Sequence, residues 1–363
     1  MATVLHVRGQ VLVGPDSVRD DIWVIDGRVS FEAPGPGADV QTIGGWVLPG
    51  YVDAHCHVGL DHSGAVDRET AERQAVADRD SGALLLRDAG CPGDTRWIDE
   101  RDDLPRIIRA GRHIGRTKRY VRNYAHELEP DQVVEYVRRE ARRSDGWVKL
   151  VGDWIDREVG DLAPCWPDET VVAAVAAAHE EGARVTAHCF GEESLRQFAA
   201  AGTDGIEHAC GLTAETIESF AAQRIAIVPT LVNIDSFPDI AAAAQEKFPR
   251  YAAHMVDLHA RRFETVAAAH DAGIPIYVGS DAGGTLPHGL AAQEAALLTR
   301  AGLSTLEAIG ALTWEARSWL GQPGLTEGAP ADFVVLDADP RAAVEALQHP
   351  RHIVLRGALM PTV

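Results

Sequence analysis

The sequence is poor in cysteine, short of basic residues relative to acidic ones, and without any long apolar run. Its five cysteines include no Cys-x-x-Cys pair and are too few for a disulfide framework: Cys56, Cys91, Cys165, Cys189 and Cys210. Lysine and arginine total 34 against 54 aspartates and glutamates, a formal charge of −20, which argues against nucleic acid or an anionic membrane as the main partner. No apolar run approaches the ~18 residues of a membrane span, and the first residues lack a signal-peptide apolar core. We therefore expect a cytoplasmic protein.

The rest of the composition is that of an ordinary globular chain. Hydrophobic residues make up 46% and charged residues 24%, which excludes a disordered chain or a fibrous repeat. At roughly 150 residues per domain, 363 residues predict two domains, or one large domain with an attachment. We expect a small-molecule substrate as the partner, and a homo-oligomer is compatible with the sequence.

Both ends of the chain carry the pattern of short β-strands. Among residues 1–49, Asp26-Gly27 is a strong hairpin signal between two apolar runs. The chain returns to β character at residues 332–336 and 353–355. Because neither end can bury much apolar area alone, we predict that residues 1–49 and 326–363 form one composite β-sandwich domain.

Residues 50–325 alternate short apolar runs with stretches of helical length. The runs occupy residues 52–55, 83–86, 106–108, 147–151, 184–188, 205–208, 225–228 and 275–281. Strand–helix alternation repeated in this way predicts an α/β fold of the (β/α)8 TIM barrel type. A doubly wound open sheet is the alternative, but no Gly-x-Gly-x-x-Gly turn follows any run. Beyond them, Ser304 and Glu307 have capping-box spacing and predict a helix to about Leu320, before Gly321.

Metal-ligating side chains stand at the ends of several predicted strands. His55 and His57 are two residues apart, so both project from a strand to the same face, the barrel interior. The fourth, fifth, sixth and eighth strands add Lys149, His188, His208 and Asp281. Barrel enzymes place their sites at this end, and imidazole nitrogens suit Zn²⁺, Fe²⁺, Mn²⁺ or Ni²⁺, with Zn²⁺ the commonest. The pattern predicts a metal centre.

Lys149 is an unusual member of such a set. A protonated amine aimed at metal ions would be repelled, and burial readily lowers the pKa of a lysine. A neutral amine can react with carbon dioxide to give a carbamate whose two oxygens bridge two cations. The alternative is that Lys149 pairs with a carboxylate.

These motifs resemble the amidohydrolase superfamily. The segment Pro49-Gly-Tyr-Val-Asp-Ala-His-Cys-His57, together with His188, His208 and Gly279-Ser-Asp-Ala-Gly283, is similar to its imidazolonepropionase and prolidase-like branch. The tail Gly328-Ala-Pro-Ala-Asp-Phe-Val-Val-Leu336 resembles that branch's return into the sandwich. The resemblance covers essentially the whole chain.

The resemblance implies a binuclear centre and an amide hydrolase. His55, His57 and Asp281 would bind one Zn²⁺, His188 and His208 would bind the second, and the lysine, as N6-carboxylysine, would bridge them. A hydroxide between the ions would attack the scissile carbonyl, and Asp281 would carry its proton to the departing nitrogen. The implied reaction is cleavage of a C–N amide bond in a peptide-like, N-acyl or cyclic amide substrate.

Three other functions fit parts of the same pattern. A mononuclear zinc deaminase of an aminated heterocycle usually carries Glu three residues after the strand-five His, where this chain has Gly191, with Glu192 one later. An ester or lactone hydrolase would use the same centre. A degenerate barrel serving as a binding module would lack ligands, whereas here every position is filled.

Candidate substrate contacts follow the third, fourth and seventh predicted strands. The loop after the third strand carries a basic cluster that would hold a substrate carboxylate or pair with Asp99, Glu100, Asp102 and Asp103: Arg112, His113, Arg116, Lys118, Arg119 and Arg122. Asp153 and Asp156 would favour a cationic substrate instead. The resembling branch often has Tyr where this chain has Asn233, and a Gly-rich stretch at residues 152–156. We expect His113, Asp153 and Asn233 to contact substrate, whose charge stays open.

Overall fold

The structure, a computed structural model, describes residues 4–361 and has a mixed α/β fold. Residues 1–3 and 362–363, which belong to the predicted sandwich, lie outside the described part. The strands are β1 (Val4–Gly14), β2 (Ser17–Ile25), β3 (Arg28–Ser30), β4 (Val40–Gly44), β5 (Trp46–Pro49), β6 (Tyr51–Cys56), β7 (Leu60–Asp61), β8 (Gly64–Ala65), β9 (Ala83–Asp88), β10 (Arg106–Arg109), β11 (Ile114–Arg116), β12 (His126–Leu128), β13 (Trp147–Val151), β14 (Asp153–Asp156), β15 (Asp161–Pro164), β16 (Arg184–Cys189), β17 (Gly205–His208), β18 (Ala226–Val228), β19 (Phe333–Leu336), β20 (His352–Leu355) and β21 (Ala358–Leu359).

The helices occupy most of the intervals between the strands of the central region. They are α1 (Arg68–Asp80), α2 (Val133–Arg143), α3 (Asp168–Glu180), α4 (Glu192–Ala201), α5 (Ala214–Gln223), α6 (Leu231–Ile234), α7 (Phe237–Ala244), α8 (Pro249–Asp271), α9 (Ala291–Arg300), α10 (Thr305–Leu312) and α11 (Trp314–Trp319). Within residues 4–361, no helix combines the length and the apolarity needed to cross a lipid bilayer.

The two ends of the chain share one eight-stranded sheet. Its order is β21-β20-β19-β5-β1-β2-β3, and β4 pairs in parallel with β1. β5 and β19 run antiparallel and join the N-terminal segment to the C-terminal one. Apolar residues of both segments, including Val7, Ile22, Phe333 and Val335, share one buried cluster. The hairpin expected at Asp26-Gly27 is confirmed, because β2 pairs with β3 across that turn and both turn residues have positive φ.

The central region contains two parallel sheets, β10-β9-β6 and β12-β11-β13-β16-β17-β18. Seven of the eight predicted runs are strands within them. The eighth run, residues 275–281, is not a regular strand. It makes single bridges from Ile276 to Ile227 in β18 and from Ala282 to Cys56 in β6, so this segment lies between the two sheets. Between β10 and β13, the N–H of Asp145 donates to the carbonyl of Arg109 (2.9 Å).

The long helix predicted after Ser304 is two short helices instead. Its start is confirmed: the Ser304 hydroxyl accepts from the N–H of Glu307 (3.2 Å), and the Glu307 carboxylate accepts from the N–H of Ser304 (2.7 Å). The helix breaks at Thr313, whose backbone (φ −130°, ψ −100°) is not helical and whose hydroxyl donates to the carbonyl of Ile309 (2.5 Å). A threonine hydroxyl that competes for backbone acceptors gives no periodicity signal, which is why the pattern missed the break.

Candidate metal centre

Five of the six predicted ligands meet around the carboxylate of Asp281 and the imidazole of His55. Oδ1 of Asp281 lies 3.0 Å from Nε2 of His55 and 2.9 Å from Nε2 of His57. The two imidazole Nε2 atoms are 3.2 Å apart, and Nζ of Lys149 is 3.5 Å from that of His55. Ligand atoms of His55, His208 and Asp281 lie within 4.8 Å of one another.

The sixth residue, His188, lies on the other side of His208. The ring centroids of His188 and His208 are 4.6 Å apart, and those of His55 and His208 are 5.2 Å apart. Nε2 of His188 is buried without a hydrogen-bond partner among the described residues. A buried imidazole nitrogen with no partner is costly unless something absent from the polypeptide satisfies it.

The other nitrogen of three of these imidazoles is held by the protein. Nδ1 of His55 lies 2.8 Å from Oε2 of Glu207, and Nδ1 of His57 lies 2.7 Å from the carbonyl oxygen of Gly90. Nδ1 of His208 contacts the Thr230 hydroxyl at 2.7 Å. Acceptors at Nδ1 fix the proton there for His55 and His57, which leaves each Nε2 lone pair free for a cation. The donor set of this centre therefore fits a divalent metal such as Zn²⁺.

Burial keeps most of these imidazoles neutral, the form that binds metal. It lowers the pKa of His208 to about 3 and lowers the pKa of His57 and His188 as well. Burial also acts to lower the pKa of His55, but the carboxylates of Glu207 and Asp281 outweigh it and raise that pKa.

Lys149 is a buried amine beside His55. It is 1% exposed on β13, and burial lowers the pKa of its amine despite the opposing effect of Glu207 and Asp281. Within residues 4–361 its Nζ forms no ion pair with a carboxylate, and its polar contact is to His55. Glu207 and Asp281 act on this amine from beyond ion-pair distance, so both the carbamate and the carboxylate pair stay predictions.

The sequence did not predict the buried group of residues that contacts Nδ1 of His55, on the side of the ring away from the centre. Glu207 accepts from Nη2 of Arg87 (2.5 Å) and from the Thr186 hydroxyl, and none of the three side chains is exposed. Glu207 precedes a predicted ligand, so strict alternation would turn it away from the centre. It faces inward because it pairs in register with His188, and His208 returns to the centre through a left-handed backbone (φ 69°).

Comparison with known proteins identifies the family to which this chain belongs. Residues 46–358 match the family model of the amidohydrolase family. The chain belongs to that family. It is 54% identical over 357 residues to an uncharacterized protein of Mycobacterium tuberculosis, covering 98% of this chain and 95% of that one. Among solved structures it is similar to a Xaa-Pro dipeptidase with bound methionine (TM-score 0.81, 23% identity, 99% of both chains) and to A. niger ochratoxinase (TM-score 0.79, 20% identity, 98% and 95%). The predicted family membership is confirmed, and these neighbours share the fold of this amidohydrolase.

Two of the three predicted substrate contacts line the centre of the amidohydrolase. Nδ2 of Asn233 donates to Oδ2 of Asp281 (2.7 Å). The His113 ring is buried 5.1 Å from the His57 ring, and neither of its nitrogens has a partner among the described residues. The structure brings both residues to the ligands.

The carboxylate of Asp153 is hydrogen-bonded to groups of the protein itself. Its carboxylate accepts from the N–H groups of Phe190 and Gly191 (2.9 Å each) and from the Ser194 hydroxyl. These contacts fix it at the start of α4, where unsatisfied N–H groups favour an anion. Its carboxylate is therefore engaged by the polypeptide, and its Oδ1 lies 3.9 Å from Nε2 of His188, so its contact with substrate stays a prediction.

The basic cluster of the amidohydrolase pairs with other carboxylates than expected. Arg119 bridges to Asp156 (2.5 Å), and Arg116 to Glu129 (2.7 Å). The predicted partners Asp99 and Asp103 pair instead with Arg109 and Arg101. Sequence proximity misled here, because these partners are set by how the loops pack.

A cleft of about 1280 Å³ opens beside this cluster. Its lining includes Lys118, Arg122, Arg157 and Tyr120. Within residues 4–361 the three cations have no carboxylate within ion-pair distance and are exposed. The Tyr120 ring lies 5.6 Å from the His188 ring, so the cleft borders the centre.

Proposed function

We propose that this amidohydrolase hydrolyses a C–N amide bond with two Zn²⁺ ions. The observation that carries the proposal is the convergence of four imidazoles, the Asp281 carboxylate and a buried lysine, with the Nδ1 atoms of His55 and His57 committed to protein acceptors. Without cations, buried imidazole nitrogens such as Nε2 of His188 would have no hydrogen-bond partner among the described residues, which is energetically costly.

The scaffold we infer for this chemistry is a closed (β/α)8 barrel, with residues 1–49 and 326–363 as a separate β domain. Support comes from residues 275–282, whose backbone bonds to both parallel sheets. The N–H of Tyr277 donates to the carbonyl oxygen of Ile227 (3.0 Å), and the N–H of Asp281 donates to the carbonyl oxygen of His55 (2.6 Å).

We infer that His55, His57 and Asp281 would hold one ion, that His188 and His208 would hold the other, and that a carboxylated Lys149 would be shared between them. Divalent ions there supply Lewis acidity toward a carbonyl and lower the pKa of a water to near 7. A carbamate would add two anionic oxygens to a ligand set in which Asp281 is otherwise the single anion among four imidazoles.

Asp281 is the residue proposed to move the proton. Burial acts to raise its pKa, but His55 and the hydrogen bonds from His55 and His57 hold that pKa well below its usual range. The carboxylate is therefore ionised and ready to accept a proton from the attacking water and to deliver it to the departing nitrogen. Asn233 orients it through Oδ2.

The cleft supports a substrate that bears a carboxylate, such as a peptide-like or N-acyl amino acid. Lys118, Arg122 and Arg157 lie unpaired within the described residues of its lining, whereas Asp153 and Asp156 are taken by other groups. A carboxylate held by these cations would reach the ligands past Tyr120. The lining also carries the exposed carboxylates of Glu127 and Glu158, so the unpaired cations exceed the unpaired carboxylates by one, and this excess favours an anionic substrate.

Metal analysis tests the centre. The protein is purified with bicarbonate and without chelator, and metal is measured per chain. We expect about two equivalents of Zn²⁺. One equivalent would favour the mononuclear deaminase, and none after reconstitution would favour a binding module.

Activity assays test the reaction and the substrate class. Dipeptides, N-acyl amino acids and cyclic amides are assayed, each acid beside its neutral carboxamide, with esters and lactones of the same acyl groups. We expect amide hydrolysis with the free acid preferred, and a loss of that preference in Arg122→Gln but not in Arg139→Gln, an exposed arginine on α2. Faster deamination or lactone hydrolysis would contradict the proposal.

A further inference from the structure

One short helix contacts both halves of the candidate metal centre. α6 begins directly after Thr230, whose hydroxyl contacts Nδ1 of His208 at 2.7 Å. Its third residue, Asn233, donates to Oδ2 of Asp281 at 2.7 Å. The N–H of Asn233 also donates to the carbonyl of Thr230 (2.8 Å), which couples the two contacts. Any displacement of α6 would therefore disturb a ligand on each side.

The backbone at the start of α6 is strained. Thr230 has φ 51° and ψ 46°, the left-handed region that a β-branched residue rarely adopts. It is fully buried, so the conformation is imposed by its surroundings. Such strain persists only where neighbouring groups fix it, and it clusters at functional sites. His208 (φ 69°) and Asp281 (φ 59°) share this left-handed backbone.

The group that fixes α6 is a buried carboxylate from another helix. Glu294 on α9 accepts from the N–H of Leu231 through Oε1 (2.8 Å) and from the N–H of Val232 through Oε2 (2.9 Å). Its side chain has no exposed surface, and within residues 4–361 it pairs with no cation. Both oxygens are thus committed to the first two N–H groups of a helix only four residues long.

We propose that Glu294 is a positioning residue of the metal centre. It holds the first turn of α6 so that Thr230 fixes the orientation of the His208 imidazole while Asn233 fixes that of the Asp281 carboxylate. An ordinary helix cap satisfies one N–H, whereas here both oxygens of one buried carboxyl group face two N–H groups beside a strained threonine. This inference rests on the proposed function, since it assigns Glu294 a role only if His208 and Asp281 bind metal.

The test compares Glu294→Gln with wild type in the full-length protein. Gln keeps the size but turns an amide N–H₂ toward a backbone N–H. We expect Zn²⁺ affinity, measured by chelator competition, to fall about tenfold or more, as when groups supporting metal ligands are removed. Under saturating Zn²⁺, kcat should fall about tenfold, because His208 and Asp281 are no longer held in place. Wild-type metal affinity together with wild-type kcat would overturn the proposal.

Asp332→Asn is the matched control. Asp332 is also a buried carboxylate that accepts a backbone N–H, from Arg356 (2.7 Å), but it directly precedes β19 of the terminal sheet. A role in stability alone predicts that both variants lower the unfolding midpoint and that neither changes Zn²⁺ affinity or kcat. Glu294→Gln behaving like Asp332→Asn would therefore also overturn the proposal.

Thr230 variants continue the test if Glu294→Gln does not fold. Thr230→Val removes the hydroxyl and Thr230→Ser keeps it, so we expect weaker Zn²⁺ binding in the first and recovery in the second. Equal binding by both would contradict the proposal. Failure of the proposed function is distinguishable, because wild type itself would then bind no Zn²⁺ and hydrolyse no amide.

Discussion

Arg87 and Glu207 form an ion pair with no exposed surface directly beneath a candidate metal ligand. Nη2 of Arg87 lies 2.5 Å from Oε1 of Glu207, and the other oxygen of Glu207 lies 2.8 Å from Nδ1 of His55. Nε of Arg87 donates to the carbonyl of Ala54 (2.7 Å), so the pair also holds the strand that carries His55. Buried pairs contribute little net stability, which suggests orientation of the imidazole as the use of this one.

Glu207→Gln should weaken both folding and metal binding. Arg87 would be left buried without an anion, which costs about 3–5 kcal/mol of unfolding free energy. The His55 Nδ1–H would lose a charged acceptor, so Zn²⁺ affinity should fall about 10- to 100-fold. Urea unfolding of the metal-free protein measures the first effect, and chelator competition the second.

The double variant Arg87→Met/Glu207→Gln separates these two effects. It removes the unpaired charge, so stability should recover in part while Zn²⁺ affinity stays low. Metal binding as tight as in wild type would show that Glu207 does not support His55.

Lys149→Gln should lower the metal content from about two ions to about one. A glutamine cannot form the carbamate. When the chelated protein is given Zn²⁺ again in carbon dioxide-free buffer, wild-type activity should rise on addition of bicarbonate, whereas the activity of Lys149→Gln should not respond. Lys247→Gln is the control, since Lys247 is exposed on the surface. A bicarbonate response in Lys149→Gln would contradict a carboxylated lysine.

Asp281→Asn should leave the fold intact and reduce kcat at least about 100-fold, the usual contribution of a group that transfers protons. The exposed Asp235→Asn provides a control of the same chemistry. Circular dichroism and thermal unfolding verify the fold, and steady-state kinetics measure the loss. Turnover retained at saturating metal would contradict the assigned proton transfer.

His254 should make stability fall as pH rises above neutrality. It lies 2.9 Å from Asp161 and 3.2 Å from Glu192, and the hydrogen bond to Glu192 is the largest influence that raises its pKa to about 9. A raised histidine pKa stabilises the fold fully below the unfolded value of about 6.5 and progressively less up to the folded value. The loss between these limits is at most about 3 kcal/mol.

Unfolding midpoints measured from pH 6 to 10 test this effect, because that range includes both the unfolded and the folded pKa of His254. We expect His254→Gln to remove most of the decline. His259→Gln, on the same helix, is the matched control, because burial lowers the pKa of His259 and a lowered histidine pKa adds no decline of stability with rising pH. An unchanged decline in His254→Gln would contradict the assignment.

Much of the candidate centre was predictable because its signals are local. The two-residue spacing of His55 and His57 on a strand predicts a shared face, and the ends of later strands supply the remaining ligands. The hairpin at Asp26-Gly27 and the cap at Ser304 likewise depend on a few neighbouring residues, so the sequence was sufficient.

The supporting contacts were not predictable, because they join residues far apart in the chain. Arg87 and Glu207 are 120 residues apart, and Asn233 and Asp281 are 48 apart. Asp153 and Arg119 had the right chemistry for substrate contacts, but nearby polypeptide groups engage them.

The sequence by itself determined the family, the alternation of strands and helices, and the identity of the ligand candidates. Only the tertiary structure decided that Glu207 faces inward, that α6 links His208 to Asp281, and which carboxylates pair with Arg116 and Arg119. The physical reason is that periodicity reports which face a residue occupies, whereas a partner is chosen by packing, and a left-handed residue such as His208 breaks the periodicity itself.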